Sequence, residues 1–241
     1  MIAWDEAVVL SLAVPSLVRF KPRNSDYLVY AVAGWDRDAA RRAYLNLLSG
    51  HHNQALTSRT PVVLAYYPTD PKSLREDIQP LVAEIIARHG HEEWIAVWLT
   101  NELHRHLGIY SLLGAKMGVR ACELLNASLD ELTVISHAGL KPPLSCMNDG
   151  LQVSTGASLG RGTIKVEAYE ARPEATFIKG PQKLHLTLDD GVVARVRADL
   201  QRSIAQHGNL TPEYFADIRR LALRYWLEMD RREIFMETPT Q

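Results

Sequence analysis

The stretch that most restricts the fold of this chain runs from Lys141 to Gly162: adjacent prolines at 142 and 143, then glycines at 150, 156, 160 and 162. Proline lacks a backbone donor and fixes its own φ, so no regular element runs through Pro142-Pro143. The chain must turn there. Behind the turn lie Ser145, Cys146, Asn148, Asp149, Gln152 and Thr155. A thiol, a carboxylate, two amides and hydroxyls in one short punctuated run build sites more often than cores.

Around this run the sequence alternates between strand and helix patterns. Asp26–Ala33 reads as a strand and Trp35–Ser49 as a helix capped by Asp36 and stopped at Gly50. Pro61–Tyr67 reads as a short buried strand. Asp70-Pro71 predicts a helix start, with a side-chain cap and a proline preset for the first turn, and the pattern runs to His89 before Gly90. Pro80 should interrupt it. Glu92–Leu103 and Leu107–Asn126 read as helices. On the second, Gly114 and Gly118 lie on one side, which points to close approach of another backbone, a ligand or a second subunit. Strands are expected at Glu131–His137, Gly162–Tyr169, Ala175–Ile178 and Lys183–Leu188, with a short helix over Asp149–Thr155. Val192–Gln206 and Pro212–Met229 read as helices, the latter with a Thr211-Pro212 start. The tail from Arg231 is polar and expected to fray. The class is α+β, a mixed or antiparallel sheet with helices packed on it. Residues 1–91 read as an N-terminal α/β extension, either a separate layer or part of the same sheet, and residues 92–241 as the second unit.

Composition excludes several function classes. Among 241 residues the net charge is -1, with 46% hydrophobic and 23% charged residues. Such a chain carries no basic footprint for nucleic acid. The apolar run from Ala7 to Val14 ends at Pro15, too short to span a membrane. Two cysteines form no disulfide scaffold, and a reducing, cytoplasmic setting is expected. Gly156–Gly162 superficially resembles a phosphate-binding loop, but no helix pattern follows it.

The strongest chemistry lies in three residues. Cys146 is a soft thiol in a loop, while Cys122 fits a small core position. His104 and His106 are two apart, so they face one way only where the chain is not helical. Leu107-Gly108 makes such a boundary. Two imidazoles and a thiol suit zinc or another divalent transition metal. Asp149 reads as a ligand, a partner orienting a histidine, or a helix cap. Tyr110, Lys116, Lys141, Gln152 and Thr155 are candidate ligand contacts, with Lys165 as a further lysine for an anion. His137 and Asp149 are candidate proton carriers.

The segment His104-Arg105-His106-Leu107-Gly108-Ile109-Tyr110 through Gly114 and Lys116, followed by Ser145-Cys146, Asp149-Gly150-x-Gln152 and Thr155-Gly156-x-x-x-Gly160-x-Gly162, resembles the FmdE-like family, which takes its name from formylmethanofuran dehydrogenase. The resemblance covers roughly Trp94 to Lys165. It implies an α+β domain with a metal, usually zinc, held by motif histidines and cysteines, and the matching positions are His104, His106 and Cys146. Where the family carries a first-motif cysteine this chain has Gly108. Ile109 stands for a proline, Lys116 for an arginine, and Arg105 for the glycine between the histidines. Three function classes follow: a binding protein whose open metal position meets a small molecule or metal complex; an enzyme using metal-bound water or Lewis-acid activation on a small anionic substrate; and a structural metal site. A homodimer is expected, with the Gly114/Gly118 face as one possible contact.

Overall fold

The structure, a computed structural model, describes residues 18–24, 29–35, 61–169 and 171–239. The chain divides into two compact units, Met1–Ala55 and Leu56–Gln241. Residue 91, where the sequence reading draws its boundary, lies inside a helix of the second unit.

In the first unit, β1 (Val18–Asn24) pairs antiparallel with β2 (Val29–Trp35), with register shifts between Arg19 and Phe20 and between Pro22 and Asn24. The second shift falls beside Pro22, which has no N–H to give the ladder. β2 overlaps the strand expected at Asp26–Ala33. The helix expected after Trp35 lies outside the described residues.

The second unit opens differently from expectation. Pro61–Tyr67 forms no strand, and Val62 and Val63 are almost fully exposed. Asp70 does cap a start, accepting from Lys72 N at 3.0 Å, but the result is a single 3-10 turn, Pro71–Ser73. A second such turn, Gln79–Leu81, contains Pro80, and α1 (Val82–His104) begins only after it. The missing donor of Pro80 thus sets a start rather than a kink. Gly90 breaks α1 internally at φ 82°, ψ 167°, so the predicted stop before the second helical pattern is real.

α2 (Ile109–Leu124) follows, then β3 (Thr133–Ser136), α3 (Met147–Thr155), β4 (Ile164–Val166), β5 (Glu174–Lys179), β6 (Gln182–Leu188), α4 (Asp190–His207), α5 (Pro212–Glu228) and β7 (Phe235–Pro239). The sheet order is β4-β3-β5-β6-β7; β3 and β4 run parallel and the other pairs antiparallel. This is the expected α+β class with a mixed sheet. β7 corrects the expectation of a frayed tail. Its strand has a polar sequence, but Ile234 and Phe235 turn inward and the segment pairs with β6 from Leu184 to Leu188.

One face of the sheet is apolar: Val134, Ala175, Phe177, Leu184, Leu186 and Leu188 are all buried. α2 packs over β6, and α3 over β3. Caps fix the helix ends as the sequence suggests. Thr211 accepts from Tyr214 N at 3.1 Å ahead of Pro212, and Asp189 accepts from Gly191 N and Val192 N. Each such cap contributes about 1 kcal/mol.

The glycines of α2 explain the closest packing in the unit. A Cβ on Gly114 would collide with the backbone of Met147, and one on Gly118 with Ser154. Gly150 of α3 returns the contact, since its Cβ would strike the backbone at Ser111 and Ala115. The glycine face of α2 is therefore filled by α3 of the same chain and is not the subunit contact considered from sequence. This contact sets α3, with Cys146 and Asp149 at its start, beside the junction of α1 and α2.

Candidate functional site

The site is built on the α1–α2 junction. His104 is the last residue of α1, and Arg105 caps the helix in a left-handed conformation at φ 68°. One residue in that conformation turns the chain sharply, so residues two apart come together. The rings of His104 and His106 lie 4.3 Å apart between centroids, tilted by 40°. The condition set by the sequence, that this pair shares a face only outside a helix, is met.

Asn101 holds the turn. Its side-chain oxygen accepts from Gly108 N at 3.2 Å and Ser111 Oγ at 2.8 Å, while its amide donates to Val97 O at 2.7 Å. Neither Asn101 nor Ser111 is legible as a site residue from sequence. The signal available was only an asparagine in the last turn of one helix and a serine in the first turn of the next.

Asp149 sits in the first turn of α3 but does not cap it, since the cap position is Cys146. Its Oδ2 lies 2.7 Å from His104 Nδ1. Of the three sequence readings, the partner orienting a histidine is the one with this geometry. The other nitrogen, His104 Nε2, is buried and has no hydrogen-bond partner. A Cβ on Gly108 would lie 3.3 Å from His104 Nε2 and 3.3 Å from His106 Nε2. Both Nε2 atoms therefore border one small volume beside Gly108. Burial, then the neighbouring His104 ring, holds the His106 imidazole below its usual range and so in the neutral form that ligates metals. Phe215 of α5 meets His106 edge to face at 5.4 Å, and the His106 side chain remains solvent-exposed on its other side.

Cys146 ends the 3-10 turn Leu144–Cys146 that follows the cis Pro142–Pro143 bond. It is half-buried and lines the same cavity, of about 340 Å³, as His104 and Asp149. Burial, then the Asp149 carboxylate, pushes the thiol up to about 11. Cys146 is thus a thiol rather than a thiolate at neutral pH, and a metal would have to displace its proton.

Gln152 also lines the cavity, where its side-chain oxygen accepts from Leu159 N at 3.2 Å. Several other sequence candidates lie elsewhere. Lys116 is completely buried and paired with Glu93, so it cannot meet a ligand. Thr155 is buried and turned back on Leu151 O at 2.6 Å. Tyr110 packs against the hydrophobic core, and Lys141 is exposed outside the lining. Lys165 pairs with Glu167 at the surface. His137 belongs to a different group, with Nε2 3.3 Å from Thr176 Oγ1 and its ring against His185.

What the site can do chemically follows from its donors. Two imidazole nitrogens flank one volume, one of them buried and unpartnered, and a carboxylate fixes the ring behind it. This suits a divalent transition metal. The set is incomplete: among the described residues, no three His, Cys, Asp or Glu side chains stand arranged to hold an ion. Asp149 is already engaged by His104, and Cys146 lies on the cavity wall.

No curated protein matches the chain. A family profile described as FmdE, molybdenum formylmethanofuran dehydrogenase operon, matches residues 103–236, more than half of the chain and the whole span from the histidine pair into β7. The match covers the segment in which the histidine, cysteine and glycine motifs occur in family order, and the chain belongs to the FmdE family.

Proposed function

We propose that the α1–α2 junction of this FmdE-family protein is a transition-metal centre, most suited to zinc, that binds a small molecule or metal complex at an open position. His104 and His106 would hold the ion through Nε2, and Cys146, on the neighbouring cavity wall, would become a third donor only by moving toward it. Asp149 orients His104 at Nδ1; with a proton held there, Nε2 is the nitrogen that presents its lone pair to a metal. The observation that carries this reading is the buried, unpartnered Nε2 of His104 behind an oriented Nδ1. A buried polar atom without a partner costs about 1–3 kcal/mol, so its retention points to a partner the polypeptide does not supply.

Bound there, a metal would supply Lewis acidity and a water with a pKa of about 7. The enzyme reading is weaker than the binding one. His137 stands in another group, and the Oδ2 edge of Asp149 is committed to His104. A purely structural metal is weaker still, since the described donors do not close a four-ligand shell. A content of only two cysteines in 241 residues supports a reducing, cytoplasmic setting. Among the described residues no helix is long and apolar enough to cross a membrane.

Elemental analysis of purified protein beside His104→Ala and Cys146→Ala variants tests the proposal. Near one equivalent of zinc is expected in the parent chain, none with His104→Ala, and a clearly weakened complex with Cys146→Ala. Full zinc content in the folded His104→Ala variant would remove the centre from this junction.

A further inference from the structure

The cavity in front of Cys146 and Asp149 has a mixed apolar and polar lining, with one carboxylate in it. Leu140, Pro142, Leu159, Ile164 and Val166 form the apolar wall. His104, Ser145, Cys146, Asn148, Asp149 and Gln152 supply the polar lining, and His104 Nδ1 engages the Asp149 carboxylate at Oδ2. Among the described residues no lysine or arginine lines the cavity. The nearest lysine in sequence, Lys141, lies outside it, and Lys165 is held by Glu167. At the mouth, Leu140 and Leu159 are 68% and 69% exposed. Exposed leucines in a cleft lining are apolar surface that a ligand body would cover.

We infer that this cavity takes an uncharged small molecule, with an apolar, ring-sized body lying across Leu140 and Leu159 and an N–H-bearing polar end turned toward Asp149. The inference concerns the same corner as the proposed function and holds for the chain without metal, so it stands independently of that reading. Volume agrees: about 340 Å³ is at the small end of ligand clefts, enough for a single ring with a polar substituent. Charge sets the class. In the chain without metal, an anion entering this cavity meets a carboxylate already engaged by His104 and no lysine or arginine, so little offsets its lost hydration. A neutral amide brings donors that the Asp149 carboxylate can accept, since His104 engages it at Oδ2 alone. Any anion that binds here must do so through a metal, which would reverse the local charge. The expectation that Lys141 or Lys165 holds an anionic substrate finds no support in this lining.

Two isosteric probes separate these cases. Benzamide and benzoate share shape and differ in charge. Amide chemical shifts of the full chain, stripped of metal with a chelator, are followed during titration with each. Benzamide should shift the amides of Leu140, Cys146, Asp149, Gln152 and Leu159 and bind at least about tenfold more tightly than benzoate. Leu159→Asp should weaken benzamide by about tenfold or more while the spectrum otherwise shows a folded chain. Ser145→Ala, a smaller change on the polar wall, should shift the affinity in the same direction if Leu159→Asp fails to fold. Equal binding of benzoate and benzamide without metal would overturn the inference, as would benzamide binding indifferent to both variants. Shifts at Leu140 and Leu159 that appear on concentrating the protein alone would also overturn it, by giving the rim to a second copy. Because the titration is metal-free, it stands or fails separately from zinc binding, which the elemental analysis reads.

Discussion

Glu93 and His104 are carried on one helix, about three turns apart, and their surroundings treat them in opposite ways. The Glu93 carboxylate is fully buried between two cations. Lys116 of α2 donates to one oxygen, and Arg231 Nη1 to the other at 3.0 Å. Lys116 also donates to Met229 O at 2.8 Å and Trp226 O at 3.3 Å, at the negative end of α5. Arg231 continues to Glu123 Oε1 at 2.5 Å and to His89 O at 2.7 Å, a carbonyl beside the break at Gly90. His104, by contrast, has one ring nitrogen fixed and the other left open in a buried place. Where counter-charges meet a buried group from several elements, the group holds those elements together. At His104 a single carboxylate fixes one nitrogen, and no group of the polypeptide meets the other.

The first way to break this contrast is Lys116→Met. Removing one member of a buried ion pair typically costs about 3–5 kcal/mol. Urea unfolding of the variant should show a loss of that order, while zinc content per folded molecule stays at the parent level. A loss of metal without a loss of stability would reverse the roles assigned to the two regions.

Asp149→Asn attacks the other side. Loss of the orienting carboxylate should weaken zinc about 10–100-fold, read by competition with a chromophoric chelator. Stability without metal should change by less than about 1 kcal/mol, since the pair is partly exposed.

Acid sharpens the comparison. Burial alone would raise the Glu93 carboxyl, but the ammonium of Lys116 and then the guanidinium of Arg231 outweigh it and hold the group below its usual range. The sign follows from linkage. A carboxyl depressed in the folded state stabilises above its unfolded value, about 4.3, and that contribution fades as pH falls through the folded value. The stability gap between parent and Glu93→Gln should therefore be widest at neutral pH and shrink steadily below about pH 4. A gap that widens in acid would mean that Glu93 is protonated in the native protein.

The smallest expected effect concerns the turn itself. Arg105 holds φ 68°, where a side chain costs about 1 kcal/mol relative to glycine. Arg105→Gly should raise stability by up to about that amount in thermal unfolding and leave the histidine geometry, and so the zinc affinity, nearly unchanged.

Much of this architecture could be read from local chemistry. Thr211-Pro212 and the glycine stops announce their helix ends because caps and left-handed positions depend on one or two residues. The meeting of His104, His106 and Asp149 was also within reach, because a non-helical junction and one carboxylate partner suffice to describe it. Lys116 was not. Its role depends on a glutamate 23 positions upstream and on helix carbonyls more than 100 positions downstream. One clue existed: α2 is buried nearly all round, and a lysine inside such a helix has to find a counter-charge. Pro61–Tyr67 failed in the other direction. An apolar, β-branched run becomes a strand only when a neighbour offers a ladder, and among the described residues none does. β7 lacks the alternation of a core strand, and its pairing with β6 depends on α5 delivering it to the sheet edge.

Arg231 lies beyond the last helix, in a stretch that looks dispensable. A version of the protein ended at residue 229 would shed the edge strand and, with it, the guanidinium that seals the break at Gly90 and neutralises two interior glutamates. Deletions intended to trim an unimportant end would thus weaken the base on which the histidine corner stands, some distance away in sequence and without touching the corner itself.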